Sequence, residues 1–154
     1  MRRNLEGEAL RQFAGIANEM GLEVFSGQRR GNRLALSGKN YFQFGDLRVE
    51  TDNRIVLVEA ESAGGVTNLT KYWYWIGRVA NQDLMKPVAL IHIFRQNSAR
   101  DYAAHLELWD FLAQQASKDL GAKFTAYRYC YRDVGDLVPA LDKFRRLIDD
   151  GWSN

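Results

Sequence analysis

A chain of 154 residues is the length of one ordinary domain, and 46% hydrophobic with 26% charged residues is a globular composition, which excludes disorder and fibrous repeats. The 21 Lys and Arg against 19 Asp and Glu leave a formal charge of +2, too balanced to demand or forbid a polyanionic partner. A single cysteine, Cys130, excludes an internal disulfide and suits a reducing compartment.

No linker, repeat or low-complexity stretch interrupts the chain, so residues 1–154 read as one domain. The first residues, Met1-Arg2-Arg3-Asn4-Leu5-Glu6-Gly7-Glu8, are charged where a secretory signal is apolar. Apolar runs such as Val88 to Ile91 are too short to cross a bilayer, so a cytoplasmic protein is expected. The spacing of Leu10, Phe13, Ala14, Ile16, Ala17 and Met20 predicts an amphipathic helix from Leu5 to Met20, stopped by Gly21. Three strands follow, Arg33 to Ser37, Tyr41 to Thr51 and Arg54 to Ser62, the last two joined by an Asp52-Asn53 turn. Together they predict an antiparallel meander.

After Gly64-Gly65 the pattern turns helical. Thr67 or Asn68 caps a helix through Lys71, Tyr72, Trp75, Ile76 and Val79. Val88 to Phe94 is a buried strand. Ser98 caps a long helix with Tyr102, Leu106, Trp109, Phe111 and Leu112 inward; Phe124 to Arg132 is a strand, and Val138 to Ile148 a closing helix. This order predicts an α/β fold (an α+β sandwich), a mixed sheet flanked by helices.

The chemistry concentrates in Phe44-Gly45-Asp46-Leu47 and Val58-Glu59-Ala60-Glu61. Glu59 and Glu61 end an apolar strand and share a face, because side chains alternate along a strand. With Asp52-Asn53 as a two-residue loop, counting back from the pair Thr51 and Arg54 sets Asp46 opposite Glu59. Opposed Cβ atoms lie about 4.5–5.5 Å apart, so three carboxylates are expected to crowd together and to need a cation. Hard oxygen ligands point to Mg²⁺, with Mn²⁺ as a substitute, polarising a phosphoryl oxygen.

On these residues the chain resembles the PD-(D/E)XK, restriction-endonuclease-like nucleases. Gly45-Asp46 stands in the Pro-Asp place, and Glu59-Ala60-Glu61 in the acid-x-lysine place. The resemblance runs from Leu5 to about Phe94 and implies an αβββαβ core. It implies metal binding by Asp46, Glu59 and the Ala60 carbonyl, with Glu8 on the first helix as a further acidic ligand and Glu6 as its fallback. The proline is missing, and Glu61 replaces the lysine that orients the attacking water. Either Glu61 orients or deprotonates the water, or the lysine has moved to Lys71, one turn into the next helix. The implied activity is hydrolysis of DNA phosphodiesters; the rivals are a catalytically inactive nucleic-acid-binding module and a protein-assembly module on the same fold.

The remaining features are weaker. Arg29, Arg30 and Arg33 are a candidate nucleic-acid contact or a solvated surface. Gly64-Gly65 reads as a strand-to-helix turn rather than a phosphate loop. The block Tyr72-Trp73-Tyr74-Trp75 cannot all be core on one helix; its exposed members either stack on bases or pack a partner subunit, and a homodimer through them is the favoured expectation. His92, His105 and Cys130 read as structural.

Overall fold

The computed structural model describes residues 4–62, 65–80, 85–96 and 103–149. Helix α1 (Leu5–Glu19) is opened by Asn4, whose Oδ1 accepts from the Gly7 N–H at 3.0 Å. Its buried residues, Ala9, Phe13, Ile16 and Ala17, recur at helical spacing and form one stripe. The helix terminates before Gly21, whose φ of 72° is left-handed.

The central sheet has five strands in the order β1 (Val24–Ser26), β4 (Leu47–Glu50), β5 (Ile55–Glu61), β6 (Val88–Arg95) and β7 (Phe124–Tyr131). The first three run antiparallel, and β5, β6 and β7 run parallel. Two further strands, β2 (Arg33–Ala35) and β3 (Tyr41–Gln43), make a separate two-stranded ribbon inserted between β1 and β4. The expected meander is corrected accordingly. Its members are β1, β4 and β5, and the expected strand from Tyr41 to Thr51 is split by a bend at Phe44-Gly45-Asp46. Gly45 makes that bend: its φ is 82°, and a Cβ there would lie 2.8 Å from the Leu47 carbonyl oxygen.

The β4–β5 turn is the two-residue one. The Thr51 N–H donates to the Arg54 carbonyl at 2.9 Å, and Thr51 Oγ1 accepts from the N–H groups of Asn53 and Arg54 at 3.3 and 3.2 Å. The register then runs Glu50 with Ile55, Val49 with Val56, Arg48 with Leu57 and Leu47 with Val58.

Helices α1 and α4 (Val138–Asp149) cover one face of the sheet, burying Leu47, Val49, Val56, Val58, Ala89 and Ile91. Phe13 of α1 and Phe144 of α4 meet edge-on with ring centres 5.3 Å apart. Helices α2 (Thr67–Tyr74) and α3 (Ala103–Leu120) cover the other face over Ile55, Leu57, Val88, Leu90 and Phe124, where the ribbon adds Leu34. Val66, without a side-chain hydrogen bond, is the N-cap of α2, and Thr67 is already helical. The helix continues through Trp75–Val79 as one wider π turn. On α3 the inward stripe is Trp109, Ala113, Ala116 and Leu120, whereas Phe111 is 57% exposed and points outward. Ser98 and Tyr102 lie outside the described residues. None of the described helices is long and apolar enough to cross a membrane.

Candidate active site

Extending the β4–β5 register by one pair from Leu47 and Val58 places Asp46 opposite Glu59. Asp46 is held rigidly there. Its Oδ2 accepts from the Ala60 N–H at 2.9 Å, and its Oδ1 accepts from Gln43 Nε2 at 3.0 Å. Gln43 Nε2 also donates to the Gly45 carbonyl at 3.0 Å, a carbonyl that Asn32 Nδ2 reaches at 3.1 Å. Asn32 is fully buried, and its Oδ1 accepts from Arg48 Nε at 3.2 Å. Arg48 in turn lies 4.1 Å over the Phe25 ring and 4.9 Å over the Phe44 ring, paired with Glu50 at 2.8 Å. The bend that aims Asp46 is thus pinned from both sides.

Glu59 is 2% exposed. Its Oε1 accepts from Lys71 Nζ at 2.9 Å and from the Tyr72 hydroxyl, two consecutive residues of α2. Lys71 Nζ also donates to Asn68 Oδ1 at 3.1 Å. Burial pushes the Glu59 carboxyl up to about 7; Lys71 opposes the rise, and the charge of Asp46 adds to it. Tyr72 is driven well above the ordinary phenol range by burial and by Glu59. The cation that buried acid requires is therefore supplied in part by the protein itself, from Lys71.

The register carries the polar row further across the sheet. Glu59 pairs with His92 on β6, and His92 with Arg128 on β7. His92 is fully buried; its Nδ1 accepts from Trp109 Nε1 at 2.9 Å, so the ring proton resides on Nε2. Burial, then the nearby Lys71, lowers its pKa to about 3, so it is neutral. Arg128 makes a two-pronged pair with Asp110 of α3 at 2.8 and 2.7 Å, and its Nη1 lies 3.5 Å from Cys130 Sγ. His92 serves structure; His105 is exposed on α3.

Among the described residues, no three His, Cys, Asp or Glu side chains are gathered into a group that holds a metal ion. The convergence expected of Asp46, Glu59 and Glu61 is confined to the Asp46–Glu59 pair. Glu61 shares the face of Glu59, but its carboxylate leans back on the strand-to-helix turn, with Oε2 3.6 Å from where a Cβ on Gly65 would stand. Glu8 is half-buried on α1, which packs on the opposite face of the sheet from α2. Two opposed carboxylates are still a donor set of the right class for Mg²⁺, which keeps several waters and takes one or two protein carboxylates. The Ala60 carbonyl points to the same edge, because a strand residue directs its N–H and C=O to one side and the Ala60 N–H meets Asp46. Asp46, Glu59 and the Ala60 carbonyl thus present hard oxygens at one edge of the hairpin, while Glu8 and Glu61 are not gathered with them.

Arg29 and Arg30 are exposed on the loop between β1 and β2, and Arg33 is exposed on the ribbon with its guanidinium 4.2 Å over the Tyr41 ring. The aromatic block is largely consumed inside the chain. Tyr72 is buried on Glu59, Trp73 Nε1 donates to Asp119 at 2.7 Å, and Trp75 Nε1 donates to the Ala35 carbonyl at 3.3 Å. Only Tyr74 of the four is exposed, at 53%, which removes most of the surface on which a dimer through this helix was expected. Sequence reasoning missed Gln43 and Tyr72. Each lies beside a residue it did single out, but nothing in the spacing distinguishes their roles. No protein-family model matches the chain, and no curated protein or solved structure matches it.

Proposed function

We propose that the protein is a metal-dependent nuclease that hydrolyses DNA phosphodiesters, built on the αβββαβ arrangement of the restriction-endonuclease-like enzymes. The observation that carries the reading is the opposition of Asp46 and Glu59 with the Lys71 ammonium on Glu59. A Mg²⁺ ion held by Asp46, Glu59 and the Ala60 carbonyl would polarise a phosphoryl oxygen and make a bound water a better nucleophile. Lys71 takes the place of the lysine absent at position 61: its Nζ, held by Glu59 and Asn68, is positioned to orient the water and to offset charge developing on the phosphate. Glu61 is a secondary candidate for handling the water's proton. Glu8 is not assigned a ligand role. Arg29, Arg30 and Arg33 contact the DNA backbone, and a reducing cytoplasmic setting keeps Cys130 a thiol.

Plasmid nicking in Mg²⁺ and in Mn²⁺ tests this. Asp46→Asn and Lys71→Met are each expected to lower the rate by about 100-fold or more, since several kcal/mol of transition-state stabilisation are lost. The burial of Glu59, already met by Lys71 and Tyr72, favours a second reading, an inactive DNA-binding module on the same fold. That reading wins if wild type and Asp46→Ala are equally inert while both bind DNA.

A further inference from the structure

Asp46 is also one wall of a cavity of about 250 Å³ on the α1 side of the sheet edge, lined besides by Leu10, Arg11, Ala14, Val24, Ser26 and Leu47. The floor is apolar, and its polar lining is Arg11, Ser26 and Asp46. Arg11 is exposed and makes no hydrogen bond or ion pair among the described residues. Asp46 spends its carboxylate oxygens on Gln43 and the Ala60 N–H, so the unpaired Arg11 guanidinium is the charged group this cavity offers to an anion, and its planar fork suits phosphate oxygens.

The cavity does not stand alone. Ser26 ends β1, and the chain runs from it into the 27–32 loop that carries Arg29 and Arg30. Three and four residues of chain span at most about 11 and 14 Å, so the backbone at Arg29 and Arg30 stays near the cavity mouth. The loop is anchored from beneath: Asn32 Nδ2 donates to the Gly27 carbonyl at 2.8 Å, Arg48 Nη2 donates to the Gly31 carbonyl at 2.6 Å, and the Asn32 N–H closes on Arg29 at 2.9 Å. Two buried polar side chains thus hold a short loop whose own arginines face solvent. Between Val24 and Gly45 stand four of the 21 cationic residues and none of the 19 acidic ones, so the rest of the chain is net acidic.

We infer that this cavity and the adjoining loop form a track for a nucleic-acid backbone, in which Arg11 holds a backbone phosphate. The assignment of Asp46 to a cleavage site at one end of the track rests on the nuclease reading; the phosphate contact of Arg11 does not. The cavity is smaller than the ~300–1,000 Å³ that encloses a whole small-molecule ligand. A single phosphodiester link entering it, with neighbouring phosphates on Arg29 and Arg30, matches both its size and the charge beside it.

The test is fluorescence anisotropy of a short labelled DNA duplex and its single strand, titrated in EDTA so that no cleavage intervenes. Arg11→Glu is expected to weaken binding at least tenfold and to reduce the salt dependence by about one phosphate contact, with Arg11→Lys recovering part of the loss. Lys118→Glu, on the exposed side of α3 across the sheet, is expected to bind as wild type. Thermal melting of each variant shows that it is folded. Unchanged affinity in Arg11→Glu overturns the inference even if the protein cleaves DNA. Arg11-dependent binding by a protein that never cleaves upholds the track and defeats the nuclease reading. Absence of binding at low salt, or equally tight Arg11-dependent binding to anionic vesicles, overturns it.

Discussion

At Glu59 two forces oppose each other over one carboxyl group. Burial favours the protonated form, and Lys71 favours the ionised one. Removing Lys71 leaves the acid buried without its cation, so the loss of stability depends on pH. Lys71→Met is expected to destabilise the fold by about 1–2 kcal/mol more at pH 8, where the orphaned acid must take up a proton, than at pH 5, where it already holds one. Urea denaturation at the two pH values measures this, and the double variant Glu59→Gln with Lys71→Met is expected to recover most of the loss. Equal destabilisation at both pH values would mean that Lys71 supports the fold through its stem alone. Glu59 was legible in the sequence because an acid inside Val56-Leu57-Val58-Glu59 breaks an apolar run. Tyr72 was not, because a tyrosine at a helical core position signals packing, and its hydroxyl partner arrives only through the tertiary fold.

The element that decides the site is the bend between the ribbon and β4. Gly45 permits it through a left-handed φ of 82°, and the Leu47 carbonyl occupies the space a side chain would need. Gly45→Ala therefore meets two penalties, conformational and steric, and is expected to lower stability by about 1–3 kcal/mol. It also disturbs Asp46, which Gln43 and the Ala60 N–H hold within one residue of the bend. Mn²⁺ titration by calorimetry is expected to give weaker binding in Gly45→Ala than in wild type. A variant that loses stability yet binds Mn²⁺ equally would show that the bend shapes the fold without aiming Asp46. This bend is where the sequence pattern misleads. Residues 41–51 alternate well enough to read as one strand, and only the tertiary structure sends Tyr41–Gln43 to the ribbon and Leu47–Glu50 to the sheet. Strand β1 went unread because Val24-Phe25-Ser26 does not alternate apolar with polar residues, as Arg33-Leu34 and its neighbours do. The β4–β5 pairing was legible on the condition that Asp52-Asn53 is a two-residue turn, which sets the register that opposes Asp46 and Glu59.

Across the whole molecule, two buried titratable groups on adjacent strands make stability depend on pH in opposite senses. His92 holds a pKa of about 3 in the fold against 6.5 in the unfolded chain. Its contribution is complete above pH 6.5 and is lost as pH falls toward 3, because the unfolded chain gains a proton that the folded state refuses. Glu59 is raised from 4.5 to about 7, so its folded form keeps a proton that the unfolded chain releases. Its contribution is complete below pH 4.5 and is lost as pH rises toward 7. Each slope approaches about 1.4 kcal/mol per pH unit, and between pH 4.5 and 6.5 the two offset each other. Replacing either residue exposes the other. In EDTA, relative to wild type, His92→Gln is expected to make stability fall more steeply as pH rises from 4.5 to 6.5, and Glu59→Gln to make it climb over the same window. Gln at position 92 keeps an acceptor for Trp109, so the comparison isolates charge from packing. If both variants track wild type in parallel across that window, the two groups do not titrate with folding, and the polar row from Asp46 to Arg128 acts through hydrogen bonds alone.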